Sequence, residues 1–182
     1  MCGIAGAVAY HYAANPIDVD ELAKISLALQ VRGPDGEGFW LAPDRRAALA
    51  HRRLAILDLS ERGAQPFISD DGRYVITFNG EIYNYRALRA ELLSYGENFR
   101  SDSDTEVLLK LFIRDGANAL KRLRGMYAFG IWDTLKKRLF LARDPYGIKP
   151  LYYADDGWTV RFASQVKALL ASPKVSRDPE PA

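Results

Sequence analysis

Short β-rich runs, joined mostly by tight turns rather than helical crossovers, are the feature that most limits what this chain can become. Residues 74–78 are dense in β-formers and follow Asp70-Asp71-Gly72-Arg73, where Asp71-Gly72 is a strong hairpin signal. Residues 126–133 and 138–143 read as strands around Lys136-Lys137, and 151–154 and 159–163 as a hairpin across Asp155-Asp156-Gly157. Residues 39–41 and 47–51 form a similar pair around Pro43-Asp44-Arg45-Arg46, and 4–10 read as one buried strand. Helices are expected from an Asp18 or Asp20 cap to about residue 30, then over 86–94, onward from Ser103, and over 118–124 and 164–171. Hairpins with accompanying helices predict an α+β domain of antiparallel sheets covered by helices.

A length of 182 residues suits one domain with a tail. A net charge of +2, spread along the chain, makes no case for nucleic acid, and Lys136-Lys137-Arg138 reads as a turn. One cysteine excludes an internal disulfide framework and a cysteine-based zinc site, and two histidines, His11 and His51, exclude a histidine-rich metal site. No apolar run approaches the ~18 residues of a membrane-spanning helix, and the first residues lack a signal peptide's basic and apolar regions. The expected location is cytoplasmic.

The single cysteine is residue 2. Trimming of Met1 before so small a residue leaves Cys2 with a free α-amino group, so one residue carries a thiol nucleophile and an amine able to act as its base. Amines of this kind titrate at about 7.7–8.0 and thiols at about 8.5, which makes proton exchange between them feasible near neutrality. The competing reading is a small buried hydrophobe. Further along, the 74–78 strand runs into Asn79-Gly80, where a sharp bend is expected before the helix at 86. A side-chain amide and an unhindered glycine N–H presented there have the chemistry of an oxyanion hole. Asp104 reads as a helix-start carboxylate, with Ser103 and Glu106 matching a capping box.

Eight stretches then coincide with one family. They are Met1-Cys2-Gly3-Ile4-Ala5-Gly6, Arg32-Gly33-Pro34-Asp35-Gly36, His51 to Asp58, Gly63-Ala64-Gln65-Pro66, Phe78 to Asn84, Ser103-Asp104-Thr105-Glu106, Gly125 to Phe129, and Ala142 to Tyr152. In this order they resemble the glutaminase domain of class II glutamine amidotransferases of the asparagine synthetase type, over nearly the whole chain to about Ala171. The resemblance implies the N-terminal-nucleophile fold, a four-layer αββα sandwich of two antiparallel sheets between helices. It implies hydrolysis of L-glutamine to glutamate and ammonia through a Cys2 γ-glutamyl thioester, with Asn79 and Gly80 holding the oxyanion. It also implies Arg53 on the substrate α-carboxylate, with Arg52 the neighbouring alternative, and Asp104 on the α-ammonium. Glu81 and the backbone around Leu54 and Ile56 are expected to line the pocket.

Two positions depart from the family pattern: Val31 where many relatives carry histidine, and Gln165 where they usually carry glutamate. They are expected to affect loop packing or docking rather than thiol chemistry. Residues 1–171 are expected to form the glutaminase domain and 172–182 a linker or tail toward a synthetase domain, supplied in cis or in trans. No Ser-Gly-Gly-x-Asp-Ser pyrophosphate loop occurs, so no cofactor is expected in this chain, and ATP and Mg belong to the synthetase domain. The ammonia acceptor is expected to be aspartate, and a homodimer is left open. Two other readings compete: a regulatory domain that keeps the fold without catalysis, and an N-terminal cysteine hydrolase of another amide.

Overall fold

A computed structural model describes residues 2–54 and 63–178. The elements are β1 (Gly3–Ala9), α1 (Val19–Leu27), β2 (Gly36–Leu41), β3 (Ala47–Arg53), β4 (Phe67–Ile68), β5 (Tyr74–Ile82), α2 (Tyr85–Ser94), α3 (Asp104–Asp115), β6 (Gly125–Asp133), β7 (Arg138–Arg143), β8 (Tyr152–Asp155), β9 (Thr159–Ala163) and α4 (Val166–Leu169). The first sheet has the order β2-β3-β1-β9-β8 and the second β4-β5-β6-β7, with every pairing antiparallel.

Alternation along the strands builds the layers. In β1, Ile4 and Val8 turn toward the second sheet and pack with Leu49, Val75, Ala128, Trp132 and Phe162. Ala5, Ala7 and Ala9 turn the other way, onto Leu22 and Ile25 of α1, with Leu29 just beyond it, and Ala168 and Leu169 of α4. On the second sheet Ile76, Phe78, Ile82, Phe129 and Ile131 face outward, onto Leu88 and Leu92 of α2 and Val107, Leu108 and Leu111 of α3. The order helix, sheet, sheet, helix is the four-layer αββα sandwich expected from the resemblance.

Two polar contacts pin the sheets together between these cores. Thr77 Oγ1 donates to Ala50 O at 3.1 Å, and His51 Nε2 lies 3.2 Å from Phe78 O. Since the carbonyl can only accept, Nε2 carries the proton. Burial pushes the His51 pKa down to about 4, so the imidazole is neutral over the working range. On the outer face, the buried Glu21 carboxylate accepts from Arg161 Nε at 2.5 Å, Ser172 Oγ at 2.5 Å and Lys174 Nζ at 3.0 Å, which ties α1 to β9 and to the residues after α4.

Several local expectations need correction. The strand from Tyr74 does not bend at Asn79-Gly80. It continues to Ile82 because β6 pairs with it residue by residue, from Tyr74↔Asp133 to Ile82↔Gly125. β2 starts at Gly36, three residues ahead of the strand expected at 39–41, and a short β4 at Phe67–Ile68 adds a strand that was not expected. Gly116–Arg122 is a 3-10 helix, and α4 covers four residues. Asp18, not Asp20, caps α1. The capping box is half formed: Ser103 Oγ accepts from Glu106 N–H at 3.3 Å, but the Glu106 carboxylate turns to the backbone N–H groups of Arg100 and Ser101. Among the described residues, no helix is long and apolar enough to cross a membrane.

Candidate active site

Strand registers bring the predicted residues to one end of the inter-sheet space. Gly3 pairs with Arg52 and Ile4 with His51, so the next step of the register sets Cys2 against Arg53. Cys2 shares the face of Ile4, and Arg53 that of His51 and Leu49. Both therefore face the second sheet. Arg52 faces the other way: its Nε reaches Ser26 O at 3.2 Å and Ser26 Oγ at 3.1 Å, and Nη2 pairs with Glu37 at 2.6 Å. Arg52 is thus occupied in tying β3 to α1, and Arg53 is the arginine on the Cys2 side.

The Cys2 residue is held at two points. Arg32 Nε donates to its carbonyl at 3.0 Å. Its sulfur accepts from Leu54 N–H at 3.3 Å and lies 3.6 Å from Leu54 O. Leu54, expected only to line the pocket, therefore touches the sulfur itself. Ile56 and Met1 lie outside the described residues.

The second sheet contributes from across the gap. Asn79 follows Phe78, whose carbonyl meets His51, and shares the inter-sheet face of Thr77. It is 1% exposed, and its Nδ2 has no hydrogen-bond partner among the described residues. A buried donor in this state costs roughly 1–3 kcal/mol unless something else accepts from it, which suits a group kept for a ligand.

The direction of the neighbouring backbone groups follows from the period of two. Phe78 N–H donates to Gln65 Oε1 at 2.6 Å and Ile82 N–H to Asp104 Oδ2 at 2.9 Å, both away from β6. Gly80 N–H must point the same way, toward the open edge between those two contacts. Glycine is required there, because a Cβ at residue 80 would collide with Met126 O and stand 2.7 Å from Tyr127 Cα. Gly80→Ala is expected to cost about 1–3 kcal/mol of stability, read as a lower denaturation midpoint. An unchanged midpoint would show that β6 yields at no cost.

Asp104, the first residue of α3, is 5% exposed. Burial, with a contribution from the charge of Glu81, raises its pKa to about 6 against the pull of the Ile82 N–H. Two carboxyl groups that repel one another at the end of β5 form an environment that a cation would relieve.

Of the two departures from the family pattern, Val31 is exposed, while Gln165 has a buried Oε1 with no partner among the described residues. Ser164 N–H donates to Ile4 O and Ser164 Oγ accepts from Ile4 N–H, each near 3 Å, so Gln165 sits beside the start of β1. Arg32 was not singled out as a site residue from the sequence, and its neighbours in Arg32-Gly33-Pro34-Asp35-Gly36 were the only signal for it. No group of three or more His, Cys, Asp or Glu able to hold a metal occurs among the described residues.

Comparison with known proteins gives one consistent answer. The family model described as "Glutamine amidotransferase domain" matches residues 1–182. Asparagine synthetase [glutamine-hydrolyzing] 1 of Bacillus subtilis is 44% identical over 173 residues, covering 94% of this chain and 27% of the relative. Amidase chry2 of Gibberella zeae is 35% identical over 179 residues, covering 94% of this chain and 26% of the relative. Among solved structures, the glutamine phosphoribosylpyrophosphate amidotransferase of B. subtilis superposes with a TM-score of 0.76 at 25% identity, over 94% of this chain and 43% of that one. The chain thus spans about a quarter of the length of these curated relatives.

Proposed function

The chain belongs to the glutamine amidotransferase domain family, and on that premise we propose that it hydrolyses L-glutamine to L-glutamate and ammonia through a thioester on Cys2. The observation that carries the reading is the buried Asn79 Nδ2, which has no hydrogen-bond partner among the described residues and lies on the inter-sheet face that Cys2 also faces.

With Met1 removed, the Cys2 α-amine takes the thiol proton as the sulfur attacks the side-chain amide carbon of glutamine. The carbonyl oxygen becomes an oxyanion, for which the Asn79 Nδ2–H and Gly80 N–H groups are the donors of this reading. Collapse breaks the C–N bond, and the protonated amine returns its proton to the leaving ammonia. Water then cleaves the thioester, releases glutamate and restores the thiol. Arg53, next to Cys2 in the register, suits the α-carboxylate, for which a planar guanidinium offers two parallel hydrogen bonds. Asp104, with Glu81 beside it, suits the α-ammonium.

The names of the asparagine synthetase relatives support a further step, in which ammonia passes to an ATP- and Mg-dependent synthetase domain that amidates aspartate. A cytoplasmic location fits that role.

Ammonia release from purified protein tests the hydrolytic reading. Glutamine should be turned over, while a primary amide of equal length without the α-carboxylate and α-ammonium should lose most of kcat/KM. Equal turnover of both amides would favour a hydrolase of another amide, and no release from either would favour a non-catalytic domain. The acid limb of kcat/KM for glutamine should fall near pH 6, as Asp104 gains a proton and loses the charge that holds the ammonium. That limb should be missing in Asp104→Asn. If it persists there, another group sets it.

A further inference from the structure

One buried charge near Cys2 has no part in the chemistry above. Lys149 is 3% exposed, although Tyr146 and Ile148 in the same turn stand out in solvent. The turn is the passage from β7 in the second sheet to β8 in the first, and it is built around one carboxylate. Asp144 accepts from the backbone N–H groups of Tyr127 at 3.3 Å, Tyr146 at 3.1 Å, Ile148 at 2.9 Å and Lys149 at 2.9 Å. Arg143 Nε donates to Lys149 O at 2.8 Å. Gly147 turns the chain at φ 64°, where a Cβ would press on the Arg143 guanidinium. The backbone of Lys149 is therefore gripped on both sides, and Tyr127, to which the turn is tied, pairs with Gly80.

Strand register shows where this turn delivers Lys149. Ala163 of β9 pairs with Ala5 of β1 on one side and with Tyr152 of β8 on the other. Strands β1 and β8 thus run parallel with β9 between them. Cys2 stands three residues ahead of Ala5, and Lys149 three ahead of Tyr152. Both lie beyond the same end of the sheet, on chain segments whose strands are separated only by β9. The charges bear this out: the Lys149 ammonium interacts with Arg32, Cys2, Glu81 and Asp144. Burial, with Arg32, pulls its pKa below the usual lysine value, while Cys2, Glu81 and Asp144 oppose the shift. An ammonium is costly to bury, and an apolar residue of similar shape could fill the space.

We propose that Lys149 is a positioning residue of the Cys2 site, aimed by the Asp144-centred turn so that its ammonium orients Glu81 and balances the negative charge that develops at Cys2. Its part in turnover rests on Cys2 being the nucleophile of glutamine hydrolysis, whereas its effect on the thiol does not.

The test compares the full chain with Lys149→Met, Lys149→Gln and Lys149→Arg, by thermal midpoint, rate of Cys2 alkylation by iodoacetamide at pH 7, and kcat and KM for glutamine. Lys149→Met should keep or raise the midpoint, slow alkylation about tenfold, and lower kcat about 10–100-fold with KM changed less than about threefold. Lys149→Arg should recover part of both rates, and Lys149→Gln should follow Lys149→Met. Unchanged alkylation and kcat in Lys149→Met and Lys149→Gln would overturn the proposal. So would losses that track a lowered midpoint while alkylation of the folded protein stays at the wild-type rate, since the lysine would then serve only the turn. If no variant, wild type included, releases ammonia while alkylation still depends on residue 149, the glutaminase reading fails and the charge coupling stands.

Discussion

Replacing Asn79 with alanine is expected to lower kcat for glutamine about 10²–10³-fold, the usual cost of removing one oxyanion donor. Stability should not fall with it. Nδ2 has no partner among the described residues, so the change removes a buried polar atom whose desolvation the protein already bears. KM should move little, because in the proposed mechanism the donor meets the oxyanion of the transition state rather than the zwitterion ends of bound glutamine. Kinetics on the variant, together with its thermal midpoint, check this. A loss of activity proportional to a loss of folded protein would move Asn79 from the chemistry to the core.

Asp104→Asn is expected to move binding and stability in opposite directions. Loss of the charge that meets the α-ammonium should raise KM about 10–100-fold, the range for a charge-assisted hydrogen bond worth roughly 1.5–3 kcal/mol. The free protein should become more stable. The folded pKa of about 6 lies above the ordinary aspartate value of 3.8. Folding therefore favours the protonated form, and this contribution is full below the unfolded pKa and lost as pH rises through 6. At pH 7 the ionised carboxylate costs on the order of 3 kcal/mol, which asparagine relieves while still accepting from Ile82 N–H. The stabilisation should be present above pH 6 and vanish below pH 4 in denaturant melts at several pH values. A destabilised variant at pH 7 would mean that Asp104 already has a compensating cation in the free protein.

Local signals point to the candidate residues, and long-range pairing brings them to one end of the inter-sheet space. Cys2 and Asn79-Gly80 were legible because their chemistry sits in one or two adjacent residues. The bend expected at Asn79-Gly80 was wrong because Asn-Gly favours a turn only when no partner strand claims it, and β6 begins 43 residues after β5 ends. The same two donors are offered without a bend: the side chain points between the sheets, and the N–H lies along an open strand edge. Choosing Arg53 over Arg52 needs the face of β3, which only the register with β1 and the contacts of Ser26 supply. Nothing in the local pattern of residues 144–150 shows that the turn crosses from one sheet to the other and buries Lys149.

The most direct test of Cys2 as the nucleophile is the mass of the protein after reaction with a glutamine-like diazoketone. The expected product is a mature chain beginning at Cys2, carrying one adduct on that residue, with labelling slowed by competing glutamine and absent in Cys2→Ala. Full activity with Met1 still attached, or an unmodified Cys2 in inactivated protein, would contradict it.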